Sequence, residues 1–324
     1  MQIDTILEKY KPVIYFHKDE KYFPCHPDYF IKNSNLIKNN KIIDSNMNQT
    51  KLYNYSKNDD LGDIFIQPTD DKVIYGFNYN YEDSPLYYFI RESIDKLYIY
   101  FFLFFGYNGS YNILNVINIG EHYNDIEHFT YEFDKKTNSL SRIFFSAHGK
   151  NEGIWIKSEN LEYVKNTSKP VIYCAKYGHG FYPNSGCIFR LFGFANDMTN
   201  KGFKYSDYDY NKISKETDIN FNPDTSGWFY SGIKYGFNGT KEIHSRNYIK
   251  QEENGKKVLF YIHNDIHNII PNLFNLGLFI FTMKLLEYYL NIKVQSKKIV
   301  FLFFIYLFFI FFLNLLKETI KKVS

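Results

Sequence analysis

The chain has 324 residues, 38 Lys and Arg against 35 Asp and Glu for a formal charge of +3, 31 Tyr, 33 Phe and three cysteines. The lysines are scattered rather than gathered into a stripe, so nothing marks a nucleic-acid partner and none is expected. Cys25, Cys174 and Cys187 are too few and too odd in number for a disulfide framework, and none forms the C-x-x-C pair of a zinc or redox site.

The chain opens MQIDTILEKYK, with Asp4, Glu8 and Lys9 inside the window where an export signal would need an apolar stretch. From Tyr10 to His263 it consists of short runs rich in Tyr, Phe, Ile and Val, broken by Asn, Asp, Gly and Pro. Examples are KPVIYFH from Lys11, KVIYGFNY from Lys72, KLYIYFFLFFGY from Lys96, HFTYEF from His128, RIFFSAH from Arg142, KPVIYCAKY from Lys169 and KVLFYIH from Lys257. Such runs, without long 3.6-residue periods, predict a mainly β fold, an antiparallel β-sandwich of jelly-roll type, over residues 1–264. The polar stretches 31–60 and 207–223, rich in Asn, Lys and Asp, read as long loops.

Residues 266–283 carry no charge but include His267, Asn268, Asn272 and Asn275, which makes a poor membrane span. A helix starting at Pro271 and lying on the membrane or the domain, within 265–292, is the expectation, with a second span as the alternative. Residues 299–316, IVFLFFIYLFFIFFLNLL, are uncharged and bracketed by Lys297, Lys298 and Lys317. As a helix they reach about 27 Å, close to a hydrocarbon core of ~30 Å. They predict a C-terminal transmembrane helix within 293–324. A single late span with no early signal is the tail-anchor arrangement, a single-pass membrane protein with its main domain in the cytosol. Lysines on both flanks leave the positive-inside bias nearly silent.

The chemistry is concentrated in Gly120-Glu121-His122-Tyr123-Asn124-Asp125-Ile126-Glu127-His128. Period-two alternation puts Asp125 and Glu127 on the face of Phe129, Tyr131 and Phe133, and Ile126, His128 and Thr130 on the other. Two close carboxylates on an apolar face call for something positive between them: a cation, a lysine or a shared proton. Mg²⁺ or Ca²⁺ would suit such oxygen ligands, with His122 as a nitrogen ligand; the plainer alternative is a wet strand end whose carboxylates cap turns or pair with lysines. His148, in Phe145-Ser146-Ala147-His148-Gly149, and His179, in Gly178-His179-Gly180, stand at strand-to-loop junctions beside glycine, where a turn can aim a side chain into a site.

Four blocks resemble the vacuolar protein sorting-associated protein 62 family. KYKPVIYFHKDEKYFP (9–24) is similar to its Y-x-P-V-V-Y-L-H-x-D-E-x-Y-x-P opening, and FFGYNG (104–109) to its F-x-x-Y-N-G. GEHYNDIEH (120–128) is similar to its H-x-G-D-W-E-H. FSAH (145–148), then KPVIY (169–173) through His179 to Tyr182-Pro183, are similar to its F-S-x-H and H-P-V-V-Y-V-A-x-x-S-H-x-x-Y-P. The departures are Asn124 at a glycine, Ile126 at a tryptophan and Gly178 at a serine. The resemblance implies a fold neighbourhood and a link to vacuolar or endomembrane delivery rather than a defined activity.

A more distant likeness is to the necrosis-inducing secreted cytolysins, β-sandwiches with a G-H-x-H-D-W-E heptad and a later S-A-H-G that hold a divalent cation and engage a membrane glycolipid. It implies a metal site at His122, Asp125 and Glu127, with Asn108 standing at an aspartate ligand's place. The expected function is a membrane-anchored recognition module with a divalent-cation site (Mg²⁺ or Ca²⁺), binding a lipid head group, a glycan or a protein at the bilayer. One rival is a metal-dependent hydrolase with His148 or His179 as general base. The other is a scaffold whose motif has lost its ligand.

Overall fold

A computed structural model describes residues 2–57, 64–76, 84–113, 117–147, 153–188, 190, 196–236, 241–242 and 261–262. Contacts divide the chain into two units. One comprises Met1–Ser110, Gly120–Asn184 and Thr199–Val258; the other comprises Tyr111–Ile119, Ser185–Met198 and Leu259–Ser324.

The larger unit is built on a six-stranded sheet in the order Ile154–Lys157, Ser139–Phe145, His122–Asp134, Lys96–Asn108, Leu86–Glu92, Tyr210–Lys212. Its centre is the antiparallel pair Lys96–Asn108 and His122–Asp134, in register from Lys96↔Asp134 to Asn108↔His122. The sheet carries a core on each face. One holds Phe101, Phe105, Phe129, Tyr131 and Phe133 with Ile14, Phe16, Ile172, Phe181 and Tyr205. The other holds Phe102, Phe104 and Ile126 with Leu36, Ile66, Trp228 and Phe229. Burial on both faces explains why the central strand reads as an unbroken apolar run, since alternation survives only where one face meets water.

The first core is closed by a four-stranded sheet in the order Phe181–Tyr182, Val171–Cys174, Val13–Phe16, Phe203–Tyr205. A five-stranded sheet lies in the order Lys241–Glu242, Lys234–Tyr235, Ile64–Pro68, Ser34–Lys38, Lys41–Asp44. The fold is therefore mainly β, with several sheets and few helices, but it is not the purely antiparallel sandwich the pattern predicts. Val13–Phe16 runs parallel to Val171–Cys174, Tyr210–Lys212 to Leu86–Glu92, and Lys234–Tyr235 to Ile64–Pro68. Asp197–Thr199, Gly186–Ile188 and Tyr261–Ile262 form a further sheet, and Tyr111–Ile113 pairs with Ile117–Ile119.

Residues 31–60, expected as loop, contain the hairpin Ser34–Lys38 and Lys41–Asp44 and the helix Gln49–Ser56. The turn is Asn39-Asn40, at φ 50° and 59°, the two-residue left-handed geometry that asparagine tolerates. Asn48 starts the helix by accepting from Lys51 N at 2.8 Å. The stretch 207–223 likewise holds the strand Tyr210–Lys212 and the start of the helix Pro223–Tyr230. The expected strand from Lys72 begins instead as a 3₁₀ turn, Asp71–Tyr75, capped by Asp70.

Among the described residues no helix is long and apolar enough to cross a membrane. The expected span 299–316 and the helix within 265–292 lie outside the described residues.

Candidate functional site

The predicted alternation holds along His122–Asp134. Phe129, Tyr131 and Phe133 enter one core and Ile126 the other. Asp125 pairs with Phe105 across the sheet and Glu127 with Leu103, so both carboxylates head the first of these faces. Asn124 sits at φ 54° and is buried. That backbone explains one departure from the resemblance: where the pattern has glycine, asparagine is the side chain that best tolerates the left-handed conformation.

His179 reaches the same place from a tight loop. Tyr177 and His179 have φ 65° and 53°, and His179 N donates to Ala175 O at 3.1 Å while Ala175 N donates to Gly180 O at 2.9 Å. Left-handed backbone at two such residues is strained, and it persists because the packing around the ring fixes it. The imidazole is fully buried and stacks on Phe105, with centroids 3.8 Å apart and planes within 5°. Its Nδ1 lies 3.2 Å from Asp125 Oδ2 and its Nε2 3.8 Å from Glu20 Oε1. The second separation is that of an ion pair, too long for a hydrogen bond.

Burial alone would push the imidazole down, but Asp125 and Glu20 outweigh it and push it up to about 9. Burial likewise acts to raise Glu20, yet His179 and the amides around it hold its carboxyl below the usual range. Glu20 Oε1 accepts from Lys21 N and Tyr22 N at 2.9 Å, and Oε2 from Tyr177 N at 2.8 Å. The positive group beside Asp125 is thus an imidazolium shared between two carboxylates. Glu20 went unread in the sequence; its only signal is its place in the opening block.

The other expected residues have partners of their own. Glu127 Oε2 accepts from Ser146 Oγ at 3.1 Å. His122 Nδ1 lies 2.9 Å from Asn124 O. Asn108 Nδ2 donates to Gly120 O at 2.7 Å and Gly109 O at 3.0 Å. Among the described residues no three His, Cys, Asp or Glu side chains are placed to hold a metal ion. His128 faces the second core, stacked 5.7 Å from Phe102, and burial lowers it to about 3, which keeps it neutral. His148 lies outside the described residues.

Glu20 also fixes a tyrosine surface through the amides of Tyr22 and Tyr177. Tyr22 meets Tyr75, Tyr107 and Tyr177 at centroid distances of 5.9, 5.0 and 5.3 Å, and Tyr107 meets Tyr123 at 5.5 Å. All five rings are half-buried. Tyr107 OH donates to Glu121 Oε2 at 3.1 Å, and Lys176 Nζ lies 4.5 Å from the Tyr177 ring centroid. Gly109 makes room for this packing, since a Cβ there would sit 2.5 Å from the Tyr22 ring.

Residues 1–216 match the family model of vacuolar protein sorting-associated protein 62. The chain belongs to that family. Three of the blocks shared with the vacuolar protein sorting-associated protein 62 pattern supply Glu20, Asp125 and His179, and a fourth, FFGYNG, supplies Phe105 and Gly109. The blocks of this member of the family, far apart in sequence, therefore meet in one buried cluster and the tyrosines around it. A search of curated proteins finds no match.

Solved structures give remote likenesses. "NLPPya in complex with glucosamine" is 8% identical, covering 78% of this chain and 90% of that one, with a TM-score of 0.42. The non-toxic HaNLP3 protein is 11% identical over 80% and 94%, with a TM-score of 0.37. Necrosis and Ethylene inducing Protein 2, from the causal agent of cocoa's witches' broom disease, is 11% identical over 62% and 71%, at 0.33. These match the distant likeness to necrosis-inducing proteins, and at such scores they decide neither fold detail nor function.

Proposed function

We propose that this member of the vacuolar protein sorting-associated protein 62 family is a non-catalytic recognition module, held at an endomembrane by residues 299–316 and binding a lipid head group or a glycan. The observation that carries this reading is the distribution of chemistry around the motif. The acid and base groups Glu20, Asp125 and His179 are sealed from solvent, whereas the groups left half-exposed beside them are tyrosine rings and hydroxyls. A general base must reach a substrate proton directly or through one water, and a buried imidazolium between two carboxylates has no free lone pair with which to accept one. Tyrosine, apolar along its ring and polar at its tip, suits a partly wet binding surface.

The test uses the full chain in vesicles and on a panel of immobilised glycans, beside Tyr22→Ala and Tyr177→Ala. The expected result is binding that both substitutions weaken, with no turnover of phosphoester, ester or glycosidic test substrates. Turnover abolished by His179→Ala would replace this reading with a hydrolase.

A further inference from the structure

The tyrosine surface is better matched to an organic cation than to a sugar. We propose that the cluster around Tyr22, with Glu121 at its rim, is a site for a quaternary ammonium group, the choline head group of a bilayer phospholipid. The inference rests on the reading of this chain as a membrane recognition module and names the ligand class of that same surface.

Three observations carry it. First, the rings do not form one flat platform. Tyr107 and Tyr177 are inclined to Tyr22 by 59° and 62°, and Tyr123 to Tyr107 by 74°, while Tyr75 stacks on Tyr22 within 16°. A sugar ring is held on a flat open aromatic face, whereas a compact tetrahedral cation is held by several faces set at steep angles around one point. Second, the cluster already receives a cation. Lys176 Nζ lies 4.5 Å from the Tyr177 ring centroid, inside the ~6 Å over which an aromatic face attracts positive charge. Third, acidic groups surround the rings. Glu121 is exposed and accepts from Tyr107 OH at 3.1 Å. Burial raises the hydroxyls of Tyr22, Tyr107, Tyr123 and Tyr177, and the charges that add to it include Glu121 at the first three, Asp71 at Tyr123 and Asp19 at Tyr177. A neutral sugar gains little from such a field, and a purely anionic head group is repelled by it.

The chemistry of choline meets this surface. Its charge sits on a trimethylated nitrogen that donates no hydrogen bond, so it needs contact and a negative potential rather than a set of acceptors. Tyrosine faces supply both, the contact through the ring and the potential through its quadrupole. The rings are also fixed in advance, because Glu20 Oε1 accepts from Tyr22 N at 2.9 Å and Oε2 from Tyr177 N at 2.8 Å. Little ordering remains to be done on binding.

The experiment titrates the purified full chain, in an uncharged polyoxyethylene detergent, with tetramethylammonium, phosphocholine, phosphoethanolamine, dihexanoyl phosphatidylcholine, dihexanoyl phosphatidylglycerol and a panel of soluble oligosaccharides, read by calorimetry. Tetramethylammonium and phosphatidylcholine are expected to bind in competition, the lipid no more weakly than phosphocholine, with phosphoethanolamine and phosphatidylglycerol at least tenfold weaker. Tyr22→Leu is expected to weaken tetramethylammonium binding about tenfold and Glu121→Gln about threefold, while Tyr22→Phe, which keeps the ring face, binds like the parent. Equal binding of phosphatidylglycerol and phosphatidylcholine would overturn the proposal. So would phosphocholine binding without the lipid, or a folded Tyr22→Leu chain that binds the cation like the parent. Oligosaccharide binding without tetramethylammonium binding overturns the choline site and leaves the recognition reading standing, whereas binding of no compound removes both. If Tyr22→Leu does not fold, Glu121→Gln and the choice between the two lipids decide.

Discussion

The buried histidine gives the stability of this protein a specific dependence on pH. The imidazole moves from 6.5 in an unfolded chain to about 9 in the folded one, so the folded state binds this proton more tightly. The sign follows. The stabilisation is complete below about pH 6.5 and is lost as pH rises through about 9. Its size is roughly 3 kcal/mol, from 1.36 kcal/mol for each pH unit separating the two states. Against a net stability of about 5–15 kcal/mol that is a large share.

The comparison with a variant isolates this window. Glu20 is held low, so its contribution fades only as pH falls below the ordinary carboxylate range. Burial pushes Tyr131, Tyr205, Tyr208, Cys25 and Cys187 up, so each adds its own loss of stability as the unfolded chain ionises at alkaline pH, a loss common to parent and variant that cancels in their difference. The assay is urea unfolding of parent and His179→Gln at a series of pH values, followed by fluorescence of the buried Trp228. The stability gap between the two should shrink by roughly 3 kcal/mol as pH rises through the window set by these two values. A gap that stays constant across that range would refute the imidazolium.

Gly106→Ala should destabilise severely, by about 3 kcal/mol or more, because its Cβ would lie 1.9 Å from the backbone carbonyl oxygen of Val73; equilibrium unfolding reads the loss. Phe105→Ala removes the floor beneath His179 and should cost about 3–5 kcal/mol, with the histidine's elevated titration lost in an NMR pH series. Glu20→Gln should weaken the buried cluster around His179 by about 1–3 kcal/mol and bring the His179 titration down. A chain ending at Lys293 should leave the membrane fraction, because the apolar run 299–316 is the strongest membrane-directed feature of the sequence; retention of that fragment would point to residues 266–283 as a second anchor.

Local chemistry was legible where it is written locally. Alternation placed Asp125 with Phe129, Tyr131 and Phe133, and the glycines beside His179 marked a turn able to aim it inward. The partner Glu20 was not legible, because a single carboxylate in a loop has no local pattern and its meeting with His179 is decided by tertiary contact. The hairpin and helix within 31–60 escaped for another reason. The strand Lys41–Asp44 is largely exposed on an edge, so no hydrophobic period betrays it, and the helix Gln49–Ser56 buries only Gln49 and Leu52. The parallel pairs were invisible too, since a period of two gives the faces of a strand but not the direction of its neighbour.

The parallel pairing of Val13–Phe16 with Val171–Cys174 has a consequence for biosynthesis. Val13–Phe16 cannot acquire its parallel neighbour until Val171–Cys174 has been made, and Glu20 meets His179 later still. Through that interval the run Lys96–Asn108, rich in Phe and Tyr, lacks the layer that covers one of its faces. Long-range pairing of this kind folds slowly and leaves nascent chains prone to association. Production of this protein should therefore depend on chaperone supply, and fragments ending before residue 180 should aggregate rather than accumulate as folded intermediates.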